Sequence, residues 1–272
     1  MDYKRLEDIA VKIREDIIEE VYSAGSGHPG GSLSATDIVT ALYFEELNID
    51  PENTEDRDRD RFILSKGHAA PVQYAALAEA GFFDKAELGN LRKIGAKLQG
   101  HPKKGSVPGI EMSTGSLGQG FSVACGMAIA NKLDNSEGRV YALLGDGELQ
   151  EGIIWEAAMS AGHYKLDNLV AIVDWNGLQI DGANDDVMTV KPIGEKFKSF
   201  GFHVIEIDGH SFPEILNAFA EARTISGKPT AIIAKTHKGQ GVSFMVDQAG
   251  WHGKAPNEEQ RAQALEEIGG ER

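Results

Sequence analysis

Asp146 stands between two glycines in the stretch LLGDGELQEGIIWEA, residues 143–157, after an apolar run and before a segment patterned as an amphipathic helix. A flexible turn at a helix start ordinarily serves an anion, because free N–H groups and the positive end of the helix dipole point outward. A carboxylate there repels a bare phosphate. A divalent cation resolves the conflict, held by Asp146 and itself holding the phosphate. Asn176 follows thirty positions later, at the end of the next apolar run. One βαβ step takes about 30 residues, so both side chains can reach the same sheet edge. A carboxylate, an amide oxygen and a nearby backbone carbonyl form a hard-oxygen partial shell of the kind Mg²⁺ accepts, with positions left for phosphate oxygens and water. A lone GDG is more often an ordinary turn. The strand context and Asn176 carry the metal reading.

Histidines supply a second kind of chemistry. Four of the eight lie in turns flanked by glycine or proline: His28 and His101 in GHP, His68 in KGH and His252 in WHG. Any one of them alone is more often a surface loop residue. As a set they suit reactions that move protons on and off hydroxyls near neutral pH. His163, His203, His210 and His237 receive no role, although His237 lies close to the proposed phosphate loop.

These residues need a framework. Leu6, Ile9, Ile13, Ile17 and Val21 recur at helical spacing and predict a long amphipathic helix closed at Gly25. After the loop GSGHPGG, Ser34 with Asp37 three residues on resembles a capping box opening a second helix, DIVTALYFEEL. RFILS (61–65) is a short apolar run ahead of KGH and the alanine-rich helical stretch APVQYAALAEAG. RVYALLG (139–145), NLVAIVDW (168–175), FHVIEIDG (202–209) and PTAIIAKT (229–236) are apolar, β-branched and separated by helical patterns, so the series reads βαβαβαβ. Near-continuous apolarity predicts an α/β fold, a mostly parallel central sheet with helices on both faces. Ligands bind such sheets at the carboxyl ends of the strands, which directs attention to the loops after residues 64, 144, 174 and 236. With no repeat, low-complexity linker or clear boundary, residues 1–272 read as one domain.

Composition narrows the partners. A net charge of −15 argues against non-specific binding to nucleic acid or anionic membrane, which needs a basic face. Cys125 is the only cysteine, which predicts a reducing compartment and, within the small-residue helix FSVACGMAIA, a buried inert thiol. The start MDYKRLEDIA lacks a signal-peptide core and no stretch has the roughly 20 apolar residues of a membrane span, so a cytoplasmic location is expected. The mixed-charge run DPENTEDRDRDR, residues 50–61, reads as a solvated loop.

The segment from GDGELQEG to DWNGLQIDG is similar to the thiamine diphosphate motif, which opens with GDG and closes with an asparagine one βαβ step later. SGHPGGSLSATDIVTALYF, SKGHAAPVQYAAL, QGHP, STGSLGQGFSVACGMAIA and AKTHKGQGVSFMVDQAGWHG resemble the transketolases in particular, from about residue 20 to 253. The resemblance implies the thiamine diphosphate-binding fold, with Asp146 and Asn176 ligating Mg²⁺ (or Ca²⁺ or Mn²⁺) by side chain and Leu178 by its carbonyl. It also implies Gly145, Gly147, Gln179 and Lys238 beside the diphosphate, and Gly115, Ser116 and Leu117 lining the cofactor cleft. His68 and His252 would lie near the cofactor, while His28 and His101 would face the donor and acceptor sugars. Glu151 has two open readings: an acid favoured at a helix start by the dipole, or a dimer-interface residue as the family places it.

The implied reaction is transfer of a two-carbon ketol unit from a ketose phosphate to an aldose phosphate, as in the pentose phosphate pathway. The cofactor acts as the electron sink. In this family a glutamate on a pyrimidine-binding domain activates the cofactor. Here the chain ends at EEIGGER soon after WHG, so the pyrimidine-binding and carboxy-terminal domains are expected on a complementary subunit, in a heterotetramer of two plus two chains. Two alternatives stand beside this reading. The α-subunit of a thiamine-dependent 2-oxo-acid dehydrogenase shares the GDG logic but does not call for two GHP histidines. A non-catalytic subunit that keeps the cofactor fold has no physical need for Asp146, Asn176 and the histidine set.

Overall fold

Five parallel strands position the site, and the computed structural model describes residues 2–270 around them. They are β1 (Arg61–Leu64), β2 (Val140–Gly145), β3 (Leu169–Trp175), β6 (His203–Asp208) and β7 (Thr230–Lys235), ordered β1-β2-β3-β7-β6. A short antiparallel ribbon, β4 (Leu178–Gln179) with β5 (Gly182–Ala183), follows β3. The predicted α/β architecture with a parallel sheet and helices on both faces is thus what the chain adopts. Each apolar run also becomes a strand.

Alternation along β2 explains the two layers. Tyr141 and Leu143 join one core with Ile13, Leu33, Tyr74, Phe219 and Ile268. These belong to α1 (Tyr3–Ala24), α2 (Pro29–Ser34), α4 (Ala70–Glu79), α9 (Phe212–Thr224) and α10 (Glu258–Gly269), with α3 (Thr36–Ala41) on the same side. Val140, Ala142 and Leu144 face the other core, with Phe121, Ile154 and Phe197 of α5 (Gln119–Leu133), α6 (Gly152–His163) and α8 (Ile193–Ser199). A one-turn helix, α7 (Asn184–Val187), closes the ribbon. Buried aliphatics contribute about 1.5–3 kcal/mol each, and β2, β3 and β7 are buried on both sides.

Local chemistry sets the ends. The Asp2 carboxylate accepts from Arg5 N at 3.1 Å to cap α1, and Gly25 closes that helix in the left-handed region at φ 59°. Three expectations need correction. Ser34 and Asp37 form no capping box: Ser34 is the last residue of α2, and its hydroxyl donates to Asp174 Oδ2 at 2.5 Å, with Gly31 O 3.2 Å away. Asp37 is instead buried against Arg14 at 2.6 Å and His210 at 2.8 Å. The tertiary ion pair outweighs a local cap. β6 is a half-exposed edge strand, with Glu206 and Asp208 open to solvent. The 50–61 run is solvated up to Arg59, which pairs with Glu111, and buried Asp60, which accepts from Asn48 N and Arg139 N. Among the described residues no helix is long and apolar enough to cross a membrane.

Candidate active site

Register brings the chemistry to one edge. Gly145 pairs with Asp174, and Asp174 with Ala234, so β2, β3 and β7 finish level, while Ser65 N donates to Leu143 O to bring in the turn after β1. The four loops singled out by the sequence converge on a cleft of about 350 Å³. That is within the size range of small-molecule sites, about 300–1,000 Å³.

Its floor is charged. Asp146 is 2% exposed; its Oδ1 accepts from Gly147 N at 2.8 Å and its Oδ2 from Gly177 N at 2.5 Å. Burial, reinforced by the Asp174 charge, pushes its pKa up to about 6. No ammonium or guanidinium among the described residues is bonded to it. The Gly177 contact ties the GDG turn to the loop of Asn176, whose Oδ1 accepts from Leu178 N at 3.1 Å. Lys238 Nζ donates to Leu178 O at 3.2 Å and to His252 Nδ1 at 2.8 Å. Burial and neighbouring Lys66 lower its pKa to about 8. Gln179 lies in the floor with its Oε1 accepting from Gln150 Nε2 at 2.6 Å.

Its wall is imidazole. Ring centroids lie 5.3 Å apart for His28 and His68, 5.0 Å for His68 and His252, 5.4 Å for His28 and His252, and 6.2 Å for His28 and His101. All four are held neutral. Burial is the largest cause in each case; it takes His28 down to about 4 and His252 to about 3, lowers His101, and depresses His68 well below its ordinary value. Nearby cations add to this: Arg92 for His28 and His101, Lys238 for His252 and Lys66 for His68.

Most of the sequence-predicted residues therefore meet in one cleft, Gly115, Leu117, Gly145 and Gly147 included. Ser116 is exposed and outside the walls, with its carbonyl accepting from Gln119 N at 3.3 Å. Glu151 is the exposed residue immediately preceding α6, makes no capping bond and borders the cleft. His210 and His237 stack on each other away from the cleft. Cys125 is buried with its thiol pushed up to about 12, as an inert core residue.

Three residues escaped the sequence reading. Asp174, fully buried, accepts from Lys66, Thr236 and Ser34, the last at 2.5 Å, with the Asn176 amide at 3.4 Å. Lys66 completes the pair and donates to Gly31 O at 2.8 Å. Glu148 accepts from Ser65 Oγ at 2.5 Å, Gly118 N at 2.7 Å and Gly145 N at 3.0 Å, clamping three loops. An acid inside an apolar strand and a lysine just after one were the available signals.

The donor chemistry fits a metal-bound diphosphate. Asp146 is a buried carboxylate whose well-aligned hydrogen bonds come from backbone N–H groups, and the Asn184 amide beside Gly147 is buried with neither polar atom in a hydrogen bond of good geometry. A Cβ on Gly147 would stand 3.3 Å from Gln179 Cβ, so glycine keeps that approach open. No three His, Cys, Asp or Glu side chains gather as a metal set among the described residues, which leaves a hard-oxygen set of mixed type.

Residues 6–271 match the family model described as the transketolase thiamine diphosphate binding domain. The chain is 44% identical over 256 residues to the 6-deoxy-6-sulfo-D-fructose transketolase subunit of Clostridium sp. (strain MSTE9), covering 94% of this chain and 93% of that one. It is 42% identical to an apulose-4-phosphate transketolase subunit of Phocaeicola vulgatus, covering 98% of this chain and 95% of the relative. Against human transketolase it is 46% identical over 97% of its own length, but spans 42% of the human chain. The transketolase of Campylobacter jejuni superposes with a TM-score of 0.93 at 35% identity, over 99% of this chain and 43% of that chain. The chain belongs to the transketolase family and carries its thiamine diphosphate-binding domain.

Proposed function

We propose that this chain is the amino-terminal subunit of a split transketolase, a single diphosphate-binding domain that transfers ketol units together with a complementary subunit. The observation that carries the reading is one cleft with a charged hard-oxygen floor under a wall of neutral histidines. Asp146, Asn176 and the Leu178 carbonyl would hold Mg²⁺. Lys238 would release that carbonyl to serve the diphosphate, with the Gly147 turn alongside. Thiamine diphosphate, when bound, supplies an electron sink for the carbon–carbon bond broken in a ketose. His28 and His101 bind the sugar hydroxyls and move their protons, which neutral imidazoles do by accepting at one nitrogen and donating from the other. His68 and His252 bound the cofactor side and keep water out.

Two relatives of nearly the same length are named as subunits, which supports a partner chain; the two-plus-two assembly with Glu151 at its interface is what the family resemblance implies. Their names specify a sulfo sugar and a sugar phosphate, so we assign an anionic ketose rather than one pathway, in the cytoplasm as the single cysteine suggests. The family match favours a transketolase over the dehydrogenase alternative, and the Asp146, Asn176 and histidine set in the cleft favours a catalytic subunit over a non-catalytic one. The test is co-expression with the complementary subunit, then a ketol-transfer assay over phosphorylated and sulfonated sugars. The isolated chain with Mg²⁺ and thiamine diphosphate should be inactive. Full activity of the chain alone would overturn the split-enzyme reading.

A further inference from the structure

Arg92 lies behind the wall, between the two GHP loops. Its backbone takes the left-handed conformation at φ 60°, which a non-glycine residue adopts only against a steric cost. From there the guanidinium reaches both loops: Nη1 donates to Ser26 Oγ at 3.0 Å, Nη2 meets His28 Nδ1 at 3.3 Å, and Nη2 lies 3.5 Å from Gly100 O. Its Nε is buried without a partner, while Nη1 faces the more open side of the cluster at Ser26. Gly100, the first residue of the second GHP, is what makes the seat: a Cβ there would stand 2.8 Å from Arg92 Cζ and 2.9 Å from Nε.

We propose that Arg92 is a positioning residue that fixes the tautomer of His28 and holds the two histidine loops in register. A guanidinium has donors and no acceptor, and it keeps its protons throughout the working pH range. The contact at Nδ1 therefore requires a lone pair there, and the ring proton of His28 resides on Nε2. Protonation of His28 would lose that contact and set two cations against each other. The other groups facing His28 are the rings of His68, His101 and His252, with Lys238 acting through its charge. All of these are neutral or cationic, so no carboxylate competes to place a proton on Nδ1. The catalytic consequence rests on the ketol-transfer reading above; the tautomer does not.

The test begins with the full-length chain carrying ¹⁵N-labelled histidine. At neutral pH His28 should show an unprotonated Nδ1 and a protonated Nε2. A parent His28 with the proton on Nδ1 overturns the proposal without any variant. Arg92→Gly removes the guanidinium while easing the left-handed backbone, so a folded variant is expected. In it His28 should lose its single tautomer, its titration should move up toward the ordinary imidazole value, and added methylguanidinium should restore both. An unchanged tautomer and titration in the variant also overturn the proposal. In the assembled enzyme Arg92→Gly should lower kcat/KM on the order of 10-fold to 100-fold through misplaced reacting groups. The acid limb should shift to higher pH and Mg²⁺-dependent cofactor affinity should stay unchanged. Unaltered kcat/KM in an active assembly removes the positioning role. Absence of ketol transfer in the parent assembly, with the His28 tautomer as stated, counts against the activity reading alone.

Discussion

The floor and the wall of the cleft are both pushed toward their neutral forms, and the same cause gives them opposite responses to pH. Burial raises Asp146 to about 6 and lowers His28 to about 4, because desolvation penalises whichever form is charged. For Asp146 the folded state holds the proton more tightly than the unfolded chain. That contribution is full below the ordinary carboxylate value of 3.8 and is lost as pH rises through about 6. For His28 and His252 the unfolded chain holds the proton more tightly, so their contribution is lost as pH falls from 6.5 toward 4 and 3. On the proposed reading, a cation bound at the floor would reverse that cost. The wall gains instead, since a neutral imidazole both donates and accepts.

The sharpest way to break this comparison is Asp146→Ala. It should weaken Mg²⁺-dependent retention of thiamine diphosphate by more than the roughly 100-fold typical of losing an outer partner of a metal, with unchanged calorimetric affinity removing Asp146 from the floor. Asp174→Ala comes next, since it leaves Lys66 buried without its carboxylate. Urea unfolding should show a loss of about 3 kcal/mol or more, the cost of breaking a buried pair on one side. A loss under about 1 kcal/mol would show that water replaces the contact. On the wall, His28→Ala or His101→Ala should lower kcat/KM of the assembled enzyme on the order of 100-fold. Cofactor affinity should barely move, and transfer at the parental rate excludes that histidine.

The smallest effect sharpens the contrast in sign. In the metal-free chain, Asp146→Asn should raise stability at pH 7.5 by about 1–2 kcal/mol. Relief of the carboxylate's raised pKa is partly offset by a lost acceptor for one backbone N–H. The gain should vanish near pH 4, because the parent carboxyl is then protonated too. Thermal melts of both proteins from pH 4 to 8 measure the difference, and a gap that does not change with pH rules out the titration of Asp146 as its source.

Much of the fold was legible because its signals are local and periodic. The apolar runs gave the strands, since a strand covered on both faces has to be apolar throughout. Glu206 and Asp208 interrupt the run of β6, and their alternation is the mark of an edge that the sequence reading passed over. Asp146 and Asn176 were legible by spacing, because one βαβ step fixes how far apart two strand ends fall in sequence. Ser34 and Asp37 misled for the opposite reason: a capping box is a local pattern, whereas Arg14 and His210 reach Asp37 from 23 and 173 residues away.

By itself, then, the sequence determined the alternation of strands and helices, the pair of floor oxygens and the set of turn histidines, all of which depend on residue type and short-range spacing. Only the tertiary structure decided which charges those groups meet. Lys66 reaches Asp174 across 108 residues, and Arg92 reaches His28 across 64. Lys238 takes the Leu178 carbonyl across 60. Such contacts are set by sheet order and by which loops share an edge. Protonation state, fixed by desolvation and by neighbours distant in sequence, could be read only once the chain was folded.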